Sequence, residues 1–273
     1  MSEQQTTATE HLRQVASAFD PSTDARLVEI MQAAVKHLHA FVEEVHLTRD
    51  EWLAGIRFLT EVGQRCDEVR QEFILLSDVL GVSTLVEMVN QQSPPGATEP
   101  TVLGPFHLEG VPLRAFGDSI VDDPSTGGEP LTLHGTVRDL DGSPVPGASV
   151  DVWQVQPNGL YDVQEAARSM NLRGVFETAA DGRYEVRTVR PVDYTIPDDG
   201  VVGAMLRATG RHPWRPAHIH LKTSAPGFKT SVTHVFDAAS AWLDGDAVFA
   251  VRSSLVASMT DGDCLFDIVL DRT

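Results

Sequence analysis

The chain has 273 residues, of which 42 % are hydrophobic and 22 % are charged, a composition typical of a globular protein with one large domain or two small ones. Its net charge of -18 argues against nucleic acid or an anionic membrane surface as a partner, because both attract basic surfaces. The polar N-terminus lacks the apolar core of a signal peptide, and no stretch is long enough to span a bilayer. The two cysteines, Cys66 and Cys264, lie among apolar residues, as expected in a reducing compartment, and we predict a cytoplasmic protein.

A helical pattern runs through residues 23–92, where apolar residues recur at three- and four-residue spacing. Thr48 and Glu51 form a capping-box pattern, which predicts that a helix begins there. The pattern predicts these helices: Asp24–Val45, a helix that begins after Thr48, Asp67–Leu80 and Thr84–Gln91. We interpret residues 1–92 as a helical region for packing or dimerisation.

The rest of the chain has a different character. Residues 93–130 are rich in Pro, Gly, Ser and Thr, which predicts a connecting loop, but the apolar side chains within it need somewhere to pack. From Leu131 short strands alternate in polarity and are separated by turn residues, with no intervening helices. Residues 131–273 are therefore predicted to form an antiparallel β-sandwich. The fold class is α+β and mainly β, with a helical N-terminal region before the sandwich.

Two histidines in one predicted strand can bind a metal ion together. His218 and His220 are two residues apart, so their side chains lie on the same face of the strand. A pair of surface histidines is the simpler explanation of this spacing. However, Pro216, Ala217 and Leu221 indicate an internal strand, where imidazoles are costly unless they are hydrogen-bonded or bound to a metal.

The chain has three tyrosines, and two of them lie in predicted loops. Tyr184 lies in an alternating strand, which indicates a structural role, whereas Tyr161 and Tyr194 follow turn residues. Either could be a packed ring whose hydroxyl finds a partner. Two phenols and two imidazoles together favour Fe(III), because Fe(II) oxygenases tend to use two histidines and a carboxylate, and zinc prefers Cys, His and carboxylate ligands.

Several segments together resemble the intradiol ring-cleavage dioxygenases over nearly the whole chain. They are GPFH at 104–107, DVWQ at 151–154, NGLYDVQ at 158–164, PVDYTIPDDG at 191–200 and RPAHIHL at 215–221. The hydroxyquinol branch of that family is the most similar, through FILLSD at 73–78, SAPGF at 224–228 and TSVTHVFD at 230–237.

The resemblance implies an Fe(III) cofactor and its ligands, which are Tyr161, Tyr194, His218 and His220. It also implies three catalytic residues. Arg215 falls on the active-site arginine of the family, which would stabilise negative charge on the ring. Tyr194 is the ligand expected to leave the iron and act as a base. His234 stands where catechol enzymes usually carry Gln, a difference that favours the hydroxyquinol branch.

The resemblance further implies a substrate pocket. Its lining is expected to comprise Leu75, Asp78, Val102, Leu103, Gly104, Pro105, Phe106, Ile196, Pro197, Arg215 and Val248. Asp78 has two interpretations. It is either a charge at a helix end that faces water, or a buried acceptor for a third ring hydroxyl, which would discriminate against substrates that lack this hydroxyl.

The function that the resemblance implies is cleavage of hydroxyquinol by O2 between its adjacent hydroxyl carbons, to give 3-hydroxy-cis,cis-muconate or maleylacetate. The substrate class is a small aromatic diol or triol. The family also implies a homodimer through the N-terminal helices, with room for a lipid-like molecule. The alternatives are a catechol or chlorocatechol 1,2-dioxygenase, a protocatechuate enzyme, a zinc hydrolase that uses His218 and His220, and a non-catalytic β-sandwich binding module.

Overall fold

The computed structural model of this chain describes residues 3–20, 22, 24–68, 70–90, 93–165 and 169–273, with side chains from residue 7 onward. The chain divides into two compact units, residues 1–60 and 61–273. Of the predicted helical positions, Val69 and Gln91 lie outside the described residues. The predicted boundaries at residues 92 and 130 stay predictions.

The first unit is helical. It contains α1 (Glu3–Ser17), α2 (Ala25–Glu44) and most of α3 (Arg49–Gln64), whose last residues belong to the second unit. The predicted capping box begins α3, because the backbone N–H of Thr48 donates to Glu51 Oε2 at 2.9 Å and that of Glu51 donates to Thr48 Oγ1 at 3.3 Å. Helix α1 was not predicted, because its sequence is polar and lacks apolar periodicity.

After the end of α3, the second unit contains α4 (Glu72–Val79) and α5 (Val82–Asn90), and a further helix, α6 (Val201–Ala208), lies between strands. The helix predicted from Asp67 starts later, since the Asp67 carboxylate accepts the backbone N–H of Arg70 at 2.7 Å and closes a turn there. The absence of helices within the sandwich was also a wrong prediction, because α6 is an apolar run that also suits a strand. Among the described residues no helix has the length and apolar character needed to cross a bilayer.

The strands form two larger sheets and a short ribbon. They are β1 (Leu113–Arg114), β2 (Pro130–Asp139), β3 (Ser149–Gln154), β4 (Arg173–Glu177), β5 (Arg183–Val189), β6 (Tyr194–Thr195), β7 (Trp214–Arg215), β8 (His218–Ser224), β9 (Ser231–Asp237), β10 (Val256–Ala257), β11 (Asp263–Leu265) and β12 (Ile268–Leu270). The larger sheet has the order β1-β4-β3-β8-β9-β10, the second contains β11, β2, β12 and β5, and β6 pairs with β7. The predicted helical region followed by a β-sandwich is confirmed.

The pairing differs from the prediction in one respect, because both larger sheets are mixed. Antiparallel pairing holds in the centre, between β4, β3, β8 and β9 and between β2 and β5. At the edges the short strands β1, β10, β11 and β12 pair in parallel. Edge strands of two or three residues return from long connections, so their direction does not follow from a hairpin turn.

The larger sheet has two faces with different roles. On one face Val152 lies opposite Leu221, and Gln154 on the same face donates to the backbone carbonyl of Val189 in β5 at 2.9 Å, which links the two sheets. On the other face a single row of residues crosses four strands. In register, the row comprises Arg173 in β4, Trp153 in β3, His220 in β8 and His234 in β9. One face of the sheet thus packs in the sandwich core, and the other face carries the row that contains Arg173 and the two histidines. We call this second face the polar face.

Candidate metal centre

Four side chains bring their polar atoms together on the polar face of the larger sheet. The hydroxyl oxygen of Tyr161 lies 3.0 Å from Nε2 of His220 and 3.3 Å from the hydroxyl oxygen of Tyr194. Nε2 of His218 lies 3.3 Å from Nε2 of His220. All four residues are buried, and none is more than 5 % exposed. The structure thus places the four predicted metal ligands in one cluster.

The two histidines of this cluster are held by strand β8 and its neighbours. Nδ1 of His218 lies 2.7 Å from the backbone carbonyl oxygen of Pro216 and donates to it, which leaves Nε2 as the free lone pair. The ring of His220 stacks on that of Trp153 at 4.6 Å between centroids and 14° between planes. These contacts fix the direction of each ring, a common feature of histidines that bind metals.

The two tyrosines reach the cluster from outside the larger sheet. Tyr194 lies in β6, directly opposite Arg215 in β7. Tyr161 precedes a 3₁₀ turn, and its backbone is held on both sides by Gln164. The Gln164 side chain accepts the N–H of Tyr161 at 2.9 Å, and the N–H of Gln164 donates to the carbonyl of Tyr161 at 2.9 Å. Local backbone bonds therefore set the position of each phenol.

Burial controls the protonation of the imidazoles. It lowers the pKa of His218 to about 3, and the positive charge of Arg215 adds to this effect. The pKa values of His220 and His234 also fall well below the usual range of an imidazole, first through burial and then through neighbouring rings. The three rings are therefore neutral near pH 7, which is the form that binds a metal ion.

The chemistry of the donors fits a metal ion. Burial, followed by the nearby hydroxyl of Tyr194, raises the pKa of Tyr161 well above its usual value. A phenolate at this position therefore requires a cation beside it. Two phenolate oxygens with two neutral imidazoles form a set suited to a hard, oxidised ion, and they lack the thiolates and carboxylates that complete typical zinc sites.

A third histidine adjoins the four donors. One ring nitrogen from each of His218, His220 and His234 lies within 4.8 Å of the others, and the described residues contain no other such group of three or more His, Cys, Asp or Glu side chains. Nδ1 of His234 is hydrogen-bonded to the hydroxyl of Thr101. Its Nε2 is buried and has no hydrogen-bond partner within the described part of the chain. His234 is thus a neighbour of the cluster with one free ring nitrogen.

Beside the cluster lies a small enclosed cavity of about 30 Å³. Its lining is contributed by Leu75, Asp78, Val102, Gly104, Pro105, Phe106, Tyr194, Ile196, Pro197, Arg215, His220 and Val248. Of the predicted pocket residues, Leu103 does not line it. In the extended segment Val102 is buried and Leu103 is 38 % exposed, because consecutive side chains point in opposite directions. A wider cleft of about 650 Å³ shares Phe106, Tyr194, Ile196 and Pro197 with this cavity.

Asp78 lies near the end of α4 and is buried, with 6 % exposure. The structure places Asp78 in the cavity lining, largely out of contact with water. Burial raises its pKa, and this effect exceeds the opposing effects of Ser83 and Arg215. Asp78 is therefore a polar acceptor in a lining that is otherwise largely apolar.

The chain matches two family models. One, described as dioxygenase, covers residues 103–271, and the other, described as the N terminus of catechol dioxygenases, covers residues 24–98. It is 50 % identical to the 6-chlorohydroxyquinol 1,2-dioxygenase of Cupriavidus pinatubonensis, an alignment that covers 95 % of each chain. The chain belongs to the intradiol ring-cleavage dioxygenase family.

Further relatives agree with this membership. The hydroxyquinol 1,2-dioxygenase of a Rhizobium species is 52 % identical over 86 % of this chain and 79 % of that protein. The crystal structure of hydroxyquinol 1,2-dioxygenase from Pseudomonas putida superimposes with a TM-score of 0.92 and 42 % identity, and covers 98 % of this chain and all of that one. The fold of this intradiol dioxygenase therefore matches that of a hydroxyquinol dioxygenase over 98 % of the chain.

One residue of this dioxygenase site did not emerge from the sequence. Asp246 is buried and pairs with Arg215, whose Nε lies 3.0 Å from Asp246 Oδ1. It also accepts the backbone N–H groups of Val248 and Ala250, at 3.3 and 3.0 Å. Asp246 therefore orients Arg215 and also shapes the loop that brings Val248 to the cavity. No local signal marks it, because it is far from Arg215 along the chain and lies in an ordinary turn sequence.

The pairing with Asp246 also fixes the charge of Arg215. Burial opposes this charge, but Asp246 and the hydroxyls of Tyr194 and Tyr161 outweigh burial and raise the pKa of the guanidinium. Nη1 of Arg215 donates to the hydroxyl oxygen of Tyr194 at 3.2 Å and lies 3.4 Å from Nε2 of His218. A permanent positive charge therefore lies next to the phenol that lines the cavity.

Proposed function

We propose that this protein is a non-haem Fe(III) hydroxyquinol 1,2-dioxygenase. It uses O2 to cleave hydroxyquinol between the adjacent hydroxyl carbons, and the product is 3-hydroxy-cis,cis-muconate, the enol form of maleylacetate. One observation carries the proposal. Two phenol oxygens and two imidazole nitrogens, from Tyr161, Tyr194, His218 and His220, form a buried cluster of close contacts. The relatives named as hydroxyquinol and 6-chlorohydroxyquinol dioxygenases support the substrate class.

In this proposal the four donors would hold Fe(III), which would supply Lewis acidity that makes the adjacent hydroxyl groups of the diol easier to deprotonate. The two phenols have different roles. Tyr194 lines the substrate cavity and Tyr161 does not, so the hydroxyl oxygen of Tyr194 is the one in position to accept a proton from the diol. Tyr161 is enclosed by the other donors and retains its place.

The remaining residues act on the substrate. Arg215 stabilises negative charge that develops on the ring, because its guanidinium is fixed by Asp246 and buried, where charge is weakly screened. The free Nε2 of His234 is available to hydrogen-bond a reacting oxygen atom. Phe106 and Ile196 pack against the ring and exclude water from it.

Asp78 is proposed as the residue that selects hydroxyquinol. Its carboxyl group lies in the cavity lining at the end of α4, where it can accept a hydrogen bond from the third ring hydroxyl. Catechol lacks this hydroxyl and would leave the buried carboxyl group of Asp78 with one hydrogen bond fewer, which is costly in a buried site.

The domain organisation and compartment follow from the same proposal. Residues 1–92 form the helical region, residues 93–130 contribute the Val102–Phe106 segment to the site, and residues 131–273 form the catalytic sandwich. The unpaired cysteines Cys66 and Cys264 fit a reducing cytoplasm.

The test of this function is oxygen uptake by the purified, iron-loaded protein. Hydroxyquinol, 6-chlorohydroxyquinol, catechol and protocatechuate are supplied in parallel, with a correction for autoxidation of the triols. We expect fast uptake with one or both hydroxyquinols and slow uptake with catechol and protocatechuate. A preference for catechol would contradict the assignment of substrate, and no uptake with any of the four by iron-loaded protein would contradict the assignment of function.

The ligand roles predict a contrast between two variants. His218→Ala removes a donor and should lose most of the bound iron. Tyr194→Phe should lose about 10²- to 10⁴-fold in kcat, a larger effect than its effect on iron binding, because it removes the base as well as a donor. Iron content by elemental analysis and kcat by oxygen uptake measure the two effects.

The control for this contrast is Tyr184→Phe, which removes a buried hydroxyl that donates to the carbonyl of Phe266 at 2.6 Å. It should cost about 1 kcal/mol of stability and leave iron content and kcat unchanged. Full iron loading in His218→Ala, or full activity in Tyr194→Phe, would refute the corresponding role.

The selector role of Asp78 predicts a change in preference between substrates. Asp78→Leu removes the acceptor, so the ratio of kcat/KM for hydroxyquinol to that for catechol should fall about 10- to 100-fold. Asp78→Asn retains a neutral acceptor of the same size, so the ratio should fall less in this variant than in Asp78→Leu. Steady-state kinetics with both substrates give the ratio. An equal loss with both substrates would mean that Asp78 serves the fold or the reaction and not selection.

We also propose a homodimer through the helices. Exposed apolar side chains lie along α2 in the first unit, at Leu27, Ile30, Leu38, Phe41 and Val42, and along α5 in the second, at Val82, Leu85, Val86, Met88 and Val89. Surfaces of this kind are typical of contacts with another chain or with a lipid-like molecule. Analytical ultracentrifugation of the full chain should give the mass of a dimer. Sedimentation as a monomer at micromolar concentration would contradict the proposal.

A further inference from the structure

Each of the two site tyrosines stands next to an aspartate, and the two aspartates hold their tyrosines differently. Asp193, before Tyr194, accepts the backbone N–H of Ala217 at 2.8 Å and is partly exposed. Asp162, after Tyr161, is buried and pairs with a charged side chain. The hydroxyl of Ser240 also donates to Asp193, at 2.5 Å. Asp193 beside Tyr194 is thus held by two neutral donors, whereas Asp162 beside Tyr161 is held by a buried ion pair.

The partner of Asp162 is Arg173, and both side chains are at most 2 % exposed. Nε and Nη2 of Arg173 lie 2.7 and 2.5 Å from the same carboxylate oxygen, Oδ1. Arg173 belongs to strand β4 and pairs with Trp153 in β3, which in turn pairs with His220 in β8. One side of the ion pair therefore lies in the strand row that carries His220, and the other side lies next to Tyr161 in the chain.

The stability of the fold does not by itself explain a buried ion pair at this position. Transfer of two charges from water to the interior is costly, and apolar residues of similar volume often stabilise a core as well or better. The contact is not a bidentate fork, because both nitrogens approach Oδ1 and the buried Oδ2 of Asp162 has no hydrogen-bond partner among the described residues. A short charge-assisted hydrogen bond nevertheless fixes the distance between the Asp162 carboxylate and β4. Tyr161 precedes Asp162 in the sequence, and its hydroxyl oxygen lies 3.0 Å from Nε2 of His220, which belongs to a different segment of the chain.

We propose that Asp162 and Arg173 are positioning residues of the metal centre. The ion pair joins the turn that carries Tyr161 to the strand row that carries His220, so these two donors keep a fixed separation. This inference rests on the proposed function. It also gives the two tyrosines different surroundings, because the aspartate beside Tyr161 is held by a buried charge and the aspartate beside Tyr194 is held by neutral donors.

The experiment compares iron-loaded variants by a signal that arises at the tyrosines. Phenolate bound to ferric ion absorbs visible light, and the band reports the geometry of that bond. Arg173→Lys retains the charge and loses the planar fork. We expect its band to shift or broaden at matched iron content, and iron loss to a chelator to be about tenfold faster than in the wild-type protein.

Two further variants make the result decisive. Arg183→Lys alters a surface ion pair with Asp181, in which both side chains are more than half exposed, and should leave the band and the rate of iron loss unchanged. The double variant Asp162→Asn/Arg173→Gln leaves no buried charge unpaired, so it can fold where a single variant fails. It should show the same change in the band.

The outcomes separate the inference from the proposed function. The first outcome is that the wild-type protein shows the visible band, and that Arg173→Lys and the double variant have the same band and the same rate of iron loss as the wild-type protein. This outcome would overturn the positioning role and leave the proposed function intact. A lower melting temperature with an unaltered band would likewise assign the pair to folding. If the iron-loaded wild-type protein has no such band, the proposed ligand set fails and the inference fails with it.

Discussion

The centre of the molecule depends on one constraint. Four donor atoms lie in a buried cluster, with 3.0 to 3.3 Å between neighbouring atoms. Burial keeps the imidazoles neutral and holds a proton on Tyr161. Such a group is unfavourable as a mere hydrogen-bonded cluster, because Nε2 of His218 carries a lone pair and lies only 3.3 Å from Nε2 of His220 in the same buried space. A cation resolves the conflict, because it takes the lone pairs of the imidazoles and stabilises the phenolates.

The sandwich meets this constraint by giving each face of one sheet a separate task. Alternation along β3 and β8 sends Val152 and Leu221 to the face with the cross-sheet hydrogen bonds and sends Trp153 and His220 to the other. The register therefore determines the site, because a shift by one residue would bury the imidazoles in the sandwich core. Loops and short pairings then complete the cluster over the polar face, with Tyr194 held opposite Arg215.

The sequence predicted the parts of this arrangement that arise from local periodicity. The capping box at Thr48, the strand that carries His218 and His220, and most of the cavity lining follow from spacing or from the family resemblance. Other parts depend on contacts that no local pattern encodes. Asp246 meets Arg215 across a long stretch of chain, and the buried Asp162–Arg173 pair has no sequence signature. Helix α6 was missed because a short apolar run suits both strand and helix.

The position of Asp78 on α4, while the imidazoles lie on β8, has a consequence for how such an enzyme diversifies. In the proposed function, the surface that touches the ring substituents and the atoms that bind the ion belong to different segments of the backbone. Substitutions in the helix can therefore accumulate without moving the strand. The ring substituents that the pocket accepts can then change while the metal-binding residues stay the same. Relatives with this architecture are named for catechol, hydroxyquinol and its chlorinated form, a range that such a separation of parts would allow.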